Sequence, residues 1–232
     1  QGFDRHDVHR LAARDRHVFA ALMLAHGHGE GLITGATRKS AHVMQRINMV
    51  FDASAEAGAV GVTALLHKGR IVLVGDTLVH EWPDEQDLAT IAERSADVAR
   101  HLGLEPRVAF VSFSTFGYPR SERAEKMHKA PSVLEARGAD FEYEGEMTVD
   151  VALNAQAQKS YPFSRLTGPA NILVVPARHS ASISTKLMQE MAGATVIGPI
   201  LAGIDESIQI CSTVSTVNDI LNMAVLAACK VG

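Results

Sequence analysis

The sequence has few of the residues that mark several common classes of protein. It contains only two cysteines, Cys211 and Cys229, which lie among apolar residues and are too far apart for metal-ligand spacing. This scarcity excludes a disulfide-rich scaffold and a cysteine-based zinc site, and it predicts a buried, reduced pair. No apolar run approaches the roughly 20 residues that a transmembrane helix needs, and no segment near the start reads as a signal peptide. We therefore expect a cytoplasmic protein that does not associate with membranes.

An excess of positive charge is also lacking. The 22 lysines and arginines are outnumbered by 26 aspartates and glutamates, which gives a net charge of −4. Such a balance provides no electrostatic basis for binding nucleic acid, so that partner class is not expected. An anionic ligand would have to be held by local positive groups. The chain opens on Gln1 rather than methionine, and we expect it to be a piece of a longer polypeptide.

Histidine is the one potential metal ligand that is abundant, with 11 copies. His26 and His28 stand close together, but glycines flank His28 and no third ligand is in register. The pattern favours solvated histidines in a turn, and no metal site is predicted.

Apolar runs alternate with amphipathic segments along the chain. Strands are predicted at 31–34, 60–66, 70–74, 107–114, 141–144 and 195–197, and in an apolar run closed by Pro176. Helices are predicted at 8–23, 41–51, 87–102, 121–137, 149–158, 183–191 and 220–228. This alternation predicts an α/β fold with a largely parallel sheet and helices on both faces.

Three polar segments follow predicted strands or helices and have a chemistry suited to anions. Arg38 lies in a small basic turn before a helix, which is either a phosphate cradle or a solvated turn. Ser180 and Ser182 lie in a polar turn where the next helix would offer backbone N–H groups. Ser164 and Arg165 end an aromatic loop that is either a ring-and-phosphate contact or an ordinary surface crossover.

Several motifs, in order, resemble the phosphate acetyltransferase (phosphotransacetylase) family. In detail they look most like the phosphotransacetylase-like C-terminal domain of bacterial hybrid NADP-dependent malic enzymes. The matching segments are 31–36, 104–114, 144–146, 168–176, 186–189, 197–200 and 219–220. The resemblance implies two α/β lobes with an acyl-CoA cleft between them: residues 1–116 begin the first lobe, 117–202 form the second, and 203–232 return to the first.

The sequence departs from the family pattern where charged chemistry is expected. The family's Ser-Arg pair before the last Asp aligns with Ser212 and Thr213, and the Asp aligns with Asp219. A threonine hydroxyl does not replace the charge of an arginine. Three further charged positions of the family are changed in this sequence, to Gln45 (with Arg46 adjacent), Ala177 and Glu190.

This combination of a retained cleft and reduced charge favours regulation over catalysis. We expect a non-catalytic domain that binds acetyl-CoA as an effector, forms a homo-oligomer and inhibits an upstream malic enzyme, with NADP and a divalent metal held only by that upstream part. The alternative hypotheses are an active phosphate acetyl/butyryl transferase and a purely structural dimerisation module. The predicted acetyl-CoA contacts are Arg38, Ser164, Arg165, Ser180, Ser182, Ser212 and Asp219.

Overall fold

The computed structural model describes residues 4–54, 58–119 and 121–229 of the chain. Its helices are α1 (Arg5–Arg14), α2 (Arg16–Ala25), α3 (Ser40–Ile47), α4 (Glu85–His101), α5 (Glu122–Arg137), α6 (Val149–Leu153), α7 (Ala155–Gln158), α8 (Arg178–Ala192) and α9 (Val217–Ala228). Its strands are β1 (Leu32–Gly35), β2 (Val60–His67), β3 (Arg70–Gly75), β4 (Arg107–Val111), β5 (Glu142–Met147), β6 (Ile172–Val174), β7 (Thr195–Ala202) and β8 (Ile208–Cys211). Within these residues, none of the helices combines the length and apolar character that a bilayer crossing requires.

The predicted α/β class is confirmed, with mostly parallel strand pairing. Strand β1 pairs in parallel with β8, β4 pairs in parallel with both β5 and β6, and β3 pairs in parallel with β6. The strands predicted at 60–66 and 70–74 are separated by only three residues, and they form a hairpin, the antiparallel pair β2 and β3.

The chain forms two compact units, residues 1–59 with 197–232 and residues 60–196. The chain thus starts in one unit, forms the second and returns to the first, while the predicted lobes at 1–116, 117–202 and 203–232 stay a prediction. The boundaries differ, because the second unit begins at residue 60 and not at 117. The reason is the sheet itself: β3 bonds to β6, and β6 bonds to β4, so the hairpin belongs with the strands that follow it.

The second unit has a sheet in the order β5-β4-β6-β3-β2 with helices on both faces. Helices α4 and α5 pack on one side, where Leu88, Ile91 and Leu134 are fully buried. Helices α6 and α8 lie in an apolar cluster on the other, which includes Val111 and Leu173. Each large aliphatic side chain removed from water in this way contributes about 1.5–3 kcal/mol.

The first unit packs α2, α3 and α9 around the short β1–β8 sheet. Its buried apolar residues include Val18, Ala21, Leu24, Leu32, Val43, Met44, Ile47, Ile208, Ile210, Met223, Leu226 and Ala227. Packing against these three helices therefore fixes the positions of β1 and β8.

Helix boundaries differ from the predicted ones where a polar side chain caps the backbone. The predicted helix over 8–23 is two helices, because Asp15 accepts the N–H groups of His17 and Val18 and so begins α2. Likewise Asn154 accepts the N–H of Gln156 and separates α6 from α7. Short polar residues compete for the backbone in this way wherever their own geometry allows it.

The two cysteines do not form the buried pair that was predicted. Both are free thiols, and Cys211 is buried at the end of β8, but Cys229 is exposed where α9 ends. Burial, and then the negative charge of Asp219, raise the pKa of the Cys211 thiol. The prediction for Cys229 was wrong because the apolar residues around it in the sequence belong to a helix end that faces solvent.

Candidate functional site

The first unit brings the ends of β1 and β8 to one edge. Their parallel register pairs Gly35 with Cys211, and the N–H of Ala36 donates to the Cys211 carbonyl at 3.1 Å. Gly35 has φ +104°, and a Cβ placed there would collide with that carbonyl oxygen. The β1–α3 turn with Arg38 and the β8–α9 loop with Ser212 therefore start from adjacent points, where α/β proteins commonly bind ligands.

Arg38 is exposed in the turn after β1. Its guanidinium donates only to the carbonyl of the preceding Thr37, at 3.3 Å, and no carboxylate among the described residues forms an ion pair with it. Arg46, which stands beside the position of a family arginine, is instead paired with Asp15 at 2.9 Å. Arg38, with the exposed Lys39 beside it, is thus a basic side chain of this turn that is left for an anionic ligand.

Asp219 and Ser212 lie in the loop and first turn that follow β8. The Asp219 carboxylate accepts from the backbone N–H of Thr216 at 2.7 Å, and Thr216 Oγ1 accepts from the Asp219 N–H at 3.2 Å. This reciprocal capping box begins α9 and gives Asp219 a structural role. Thr213 is exposed in the same loop.

His17 is a buried polar residue behind this edge that sequence reasoning missed. Its Nδ1 lies 2.6 Å from Thr34 Oγ1 on β1, and its Nε2 is buried without a hydrogen-bond partner among the described residues. Burial lowers the pKa of His17, with the nearby Asp15 opposing that shift. No local pattern in the sequence indicates this contact, because the histidine stands in a helix whose spacing is that of an ordinary amphipathic helix.

In the second unit, Ser180 and Ser182 lie inside α8 and not in a turn before it. The helix begins at Arg178, five residues earlier than predicted, and the Ser180 carbonyl accepts a hydrogen bond from Ser184 Oγ. Both serines are half-buried in the first turns, so their hydroxyls remain near the helix N-terminus. The polar run Arg178–Ser182 misled the prediction, because its helical character comes from tertiary packing of Ala181.

Ser164 and Arg165 lie in the loop before β6, where Arg165 is held by Glu144 of β5. The Arg165 backbone N–H donates to Glu144 Oε2 at 2.9 Å, and its Nε lies 3.5 Å from the same oxygen. Its guanidinium also covers the ring of Tyr143, 4.9 Å from the centroid. The Arg165 side chain is 47% exposed. Glu144 and Tyr143 therefore fix the position of the Arg165 side chain, and the ion pair with Glu144 uses part of its capacity to donate hydrogen bonds.

Glu146, near the end of β5, is buried like Glu144, and no role was predicted for it from the sequence. Its Oε1 accepts from Ser114 Oγ at 2.8 Å and from the Gly117 N–H at 2.9 Å, and its Oε2 lies 2.8 Å from His128 Nδ1. Burial acts to raise the pKa of Glu146, but the hydrogen bonds from Gly117, Ser114 and His128 lower it below its ordinary value. These contacts line a cavity of about 680 Å³.

One cluster of potential metal ligands occurs in the described residues. Asp4, His6 and Asp7 have ligand atoms within 4.8 Å of one another at the exposed start of α1. The two aspartates have structural roles there: Asp4 caps α1 by accepting a hydrogen bond from the Asp7 N–H, and Asp7 forms an ion pair with Arg10. His26 and His28 are exposed in their turn.

The predicted contact residues fall into two groups. Arg38, Ser212 and Asp219 belong to the first unit, and Ser164, Arg165, Ser180 and Ser182 belong to the second. Strand pairing brings the segments of the first group to one edge. Their common role in binding acetyl-CoA stays a prediction.

Comparison with known proteins identifies relatives over almost the whole chain. The family described as phosphate acetyl/butaryl transferase matches residues 1–228. The NADP-dependent malic enzyme of Rhizobium meliloti (strain 1021) is 47% identical over 100% of this chain and 30% of its own length. The phosphate acetyltransferase of Bacillus subtilis (strain 168) is 29% identical over 95% of this chain and 69% of its own length.

A solved structure agrees with these relationships. A phosphotransacetylase from Streptococcus pyogenes has a TM-score of 0.86 and 26% identity, and the match covers 94% of this chain and 68% of that one. The chain thus spans about a third of the malic enzymes that it matches, and about two thirds of the phosphotransacetylases from Bacillus subtilis and Streptococcus pyogenes.

Proposed function

Since the chain belongs to the phosphate acetyl/butaryl transferase family, we propose that it is a non-catalytic member that binds acetyl-CoA and inhibits an attached NADP-dependent malic enzyme. Malate would be decarboxylated oxidatively to pyruvate in the upstream part, which would hold NADP and a divalent metal. The 47% identity to a malic enzyme over the full length of this chain supports that attachment.

The proposal that the chain is non-catalytic rests on which basic side chains are missing or already paired with a carboxylate. Thr213 stands where the family pattern has an arginine, and two arginines that could supply the missing charge, Arg46 and Arg165, are paired with Asp15 and Glu144. Acyl transfer from acetyl phosphate needs positive groups aimed at the developing charge. A carboxylate partner offsets the charge of a guanidinium, which leaves less positive charge to stabilise the transition state of acyl transfer.

Regulation requires that acetyl-CoA bind two arrangements of the protein unequally. The contacts assigned to it are Arg38 and Arg165 for phosphates, and the hydroxyls of Ser164, Ser180, Ser182 and Ser212 with Asp219 for the pantetheine or thioester end. Exposed apolar side chains on α8 support the homo-oligomer in which such coupling would act: Ile183, Leu187 and Met191 are 64%, 58% and 80% exposed.

The test is isothermal titration of the chain with acetyl-CoA, beside an assay of CoA acetylation by acetyl phosphate on the same sample. We expect binding without turnover. Turnover would overturn the assignment of the chain as non-catalytic. Absence of binding would overturn the assignment of acetyl-CoA as its effector.

An active phosphate acetyl/butyryl transferase is the second candidate. Ser212 and Asp219 are both retained on the β8–α9 segment, and the Bacillus subtilis phosphate acetyltransferase is 29% identical. Arg38 is exposed and would have to supply the missing charge. If it does, turnover will be detected and Arg38→Ala will abolish it.

A further inference from the structure

A cavity in the second unit has a lining that points to a different kind of ligand group from a phosphate. It lies beside the start of α5 and the loop that follows β4, and its volume of about 680 Å³ is in the range of small-molecule sites. Its wall includes Phe116, Ser121, Glu125, His128 and the buried Glu146. None of the described lining residues is a lysine or arginine.

The hydrogen bond between Glu146 and His128 fixes the tautomer of the imidazole. Glu146 is only 1% exposed, and its carboxylate accepts from Ser114 and Gly117 as well as facing His128 Nδ1 at 2.8 Å. An ionised carboxylate only accepts hydrogen bonds, so Nδ1 carries the proton and the lone pair of the neutral ring is on Nε2. The His128 side chain is 57% exposed, so it is open to a ligand.

The remaining lining also offers acceptors and an aromatic surface. The Glu125 carboxylate adds a second acceptor; it is paired with Lys129 at 2.8 Å on the exposed side of α5. Phe116 is held in place by Tyr161 and Phe163, with ring centroids 5.2 and 4.8 Å away. A ligand that fits these groups has a flat ring and an N–H donor, and carries no negative charge at that end.

We propose that this cavity binds an amino-substituted purine ring, which packs on Phe116 and donates from its exocyclic amino group to His128 Nε2. The proposal rests on the proposed function in one respect: adenine is the part of acetyl-CoA with this chemistry. The adenine end would then be recognised by the second unit through β5 and α5, apart from the seven residues assigned above.

The experiment compares adenosine with inosine, which has a carbonyl oxygen in place of the amino group. Each nucleoside is titrated into the chain while the His128 side chain is observed by nitrogen-15 NMR. We expect adenosine to perturb the His128 Nε2 signal and to bind about tenfold more tightly than inosine. Equal binding of the two nucleosides, or no binding of adenosine, would overturn the proposal.

Two variants separate recognition from folding. His128→Asn keeps an N–H donor for Glu146 but removes the Nε2 acceptor, and we expect it to weaken adenosine binding about tenfold without changing the melting temperature. His179→Ala is the matched control, because the His179 ring contacts Trp82 in a tilted arrangement and does not line the cavity. Unchanged adenosine affinity in His128→Asn would overturn the assignment of the acceptor.

Titration with acetyl-CoA distinguishes this proposal from the proposed function. If acetyl-CoA binds the wild-type chain and His128→Asn equally, the adenine site is wrong and the effector assignment stands. If adenosine binds selectively while acetyl-CoA does not bind, the purine cavity stands and the effector assignment fails.

Discussion

Arg165 and Glu144 form an ion pair that also fixes the loop between α7 and β6. Glu144 Oε2 receives the Arg165 backbone N–H at 2.9 Å and faces the side-chain Nε at 3.5 Å. The carboxylate is 9% exposed and the guanidinium 47% exposed, so one end of the pair is buried while the other reaches solvent. This arrangement orients the arginine without enclosing it.

The first prediction concerns Arg165 as a contact to the phosphates of acetyl-CoA. Arg165→Ala should raise the Kd for acetyl-CoA at least tenfold, since a charge-assisted hydrogen bond contributes about 1.5–3 kcal/mol. Titration calorimetry measures the change. Arg100→Ala is the control, because Arg100 likewise pairs with a carboxylate, Asp140, and covers a ring, Phe141. Equal losses in both variants would contradict a specific role for Arg165.

The second prediction concerns the close approach of β1 and β8. Gly35→Ala should lower the free energy of unfolding by at least about 2 kcal/mol, because the added methyl meets the Cys211 carbonyl and φ is +104°. Gly193→Ala is the comparison: its φ is +64°, but open space surrounds it, so only about 1 kcal/mol is expected. Urea denaturation measures both values. A loss for Gly193→Ala as large as that for Gly35→Ala would contradict the steric argument.

The elements that were predictable from sequence are those in which local signals agree with the tertiary environment. Asp84 caps α4 in a capping box with Asp87, within two residues of the predicted start. The β2–β3 hairpin turns at Lys68 and Gly69, as the break between two apolar runs predicts. Periodicity, cap and turn residue all point to one structure in these places.

The candidate site was less predictable, because its polar groups become informative only through distant partners. Glu144 and Glu146 interrupt the apolar pattern of β5, so the predicted strand ended at Glu144 although the observed strand runs to Met147. Their partners, Arg165 and His128, are 21 and 18 residues away. No local sequence pattern predicts a pairing over such a distance along the chain. A carboxylate can be buried only where such a partner is present, so its burial is not predictable either.

The third prediction tests the oligomer through the exposed stripe on α8. Ile183, Leu187 and Met191 are spaced by four residues and so lie on one helix face. Leu187→Glu should weaken self-association at least tenfold, because burying a leucine in an interface contributes about 1.5–3 kcal/mol. Light scattering over a concentration series measures it, with Lys186→Glu as the adjacent exposed control. A monomeric wild-type chain would contradict the prediction.

The last prediction concerns the dependence of stability on pH at Glu146. Its pKa in the folded protein is below the ordinary 4.5, since hydrogen bonds from Gly117, Ser114 and His128 outweigh the opposing effect of burial. The unfolded chain therefore takes up this proton first as the pH falls. The stabilisation by the ionised carboxylate is complete above about pH 4.5 and is lost as the pH falls through the folded value.

Glu146→Gln should remove this contribution. We expect a loss of about 1–3 kcal/mol in the free energy of unfolding at pH 7, because the amide nitrogen cannot accept the hydrogen bond from His128. The difference from wild type should narrow in urea denaturation as the pH falls below about 4.5 and through the lowered pKa of the native carboxylate. Glu190→Gln, an exposed change on α8, should stay within about 0.5 kcal/mol at every pH. A wild-type advantage that persists unchanged at acid pH would show that Glu146 stabilises the fold by packing and not by its charge.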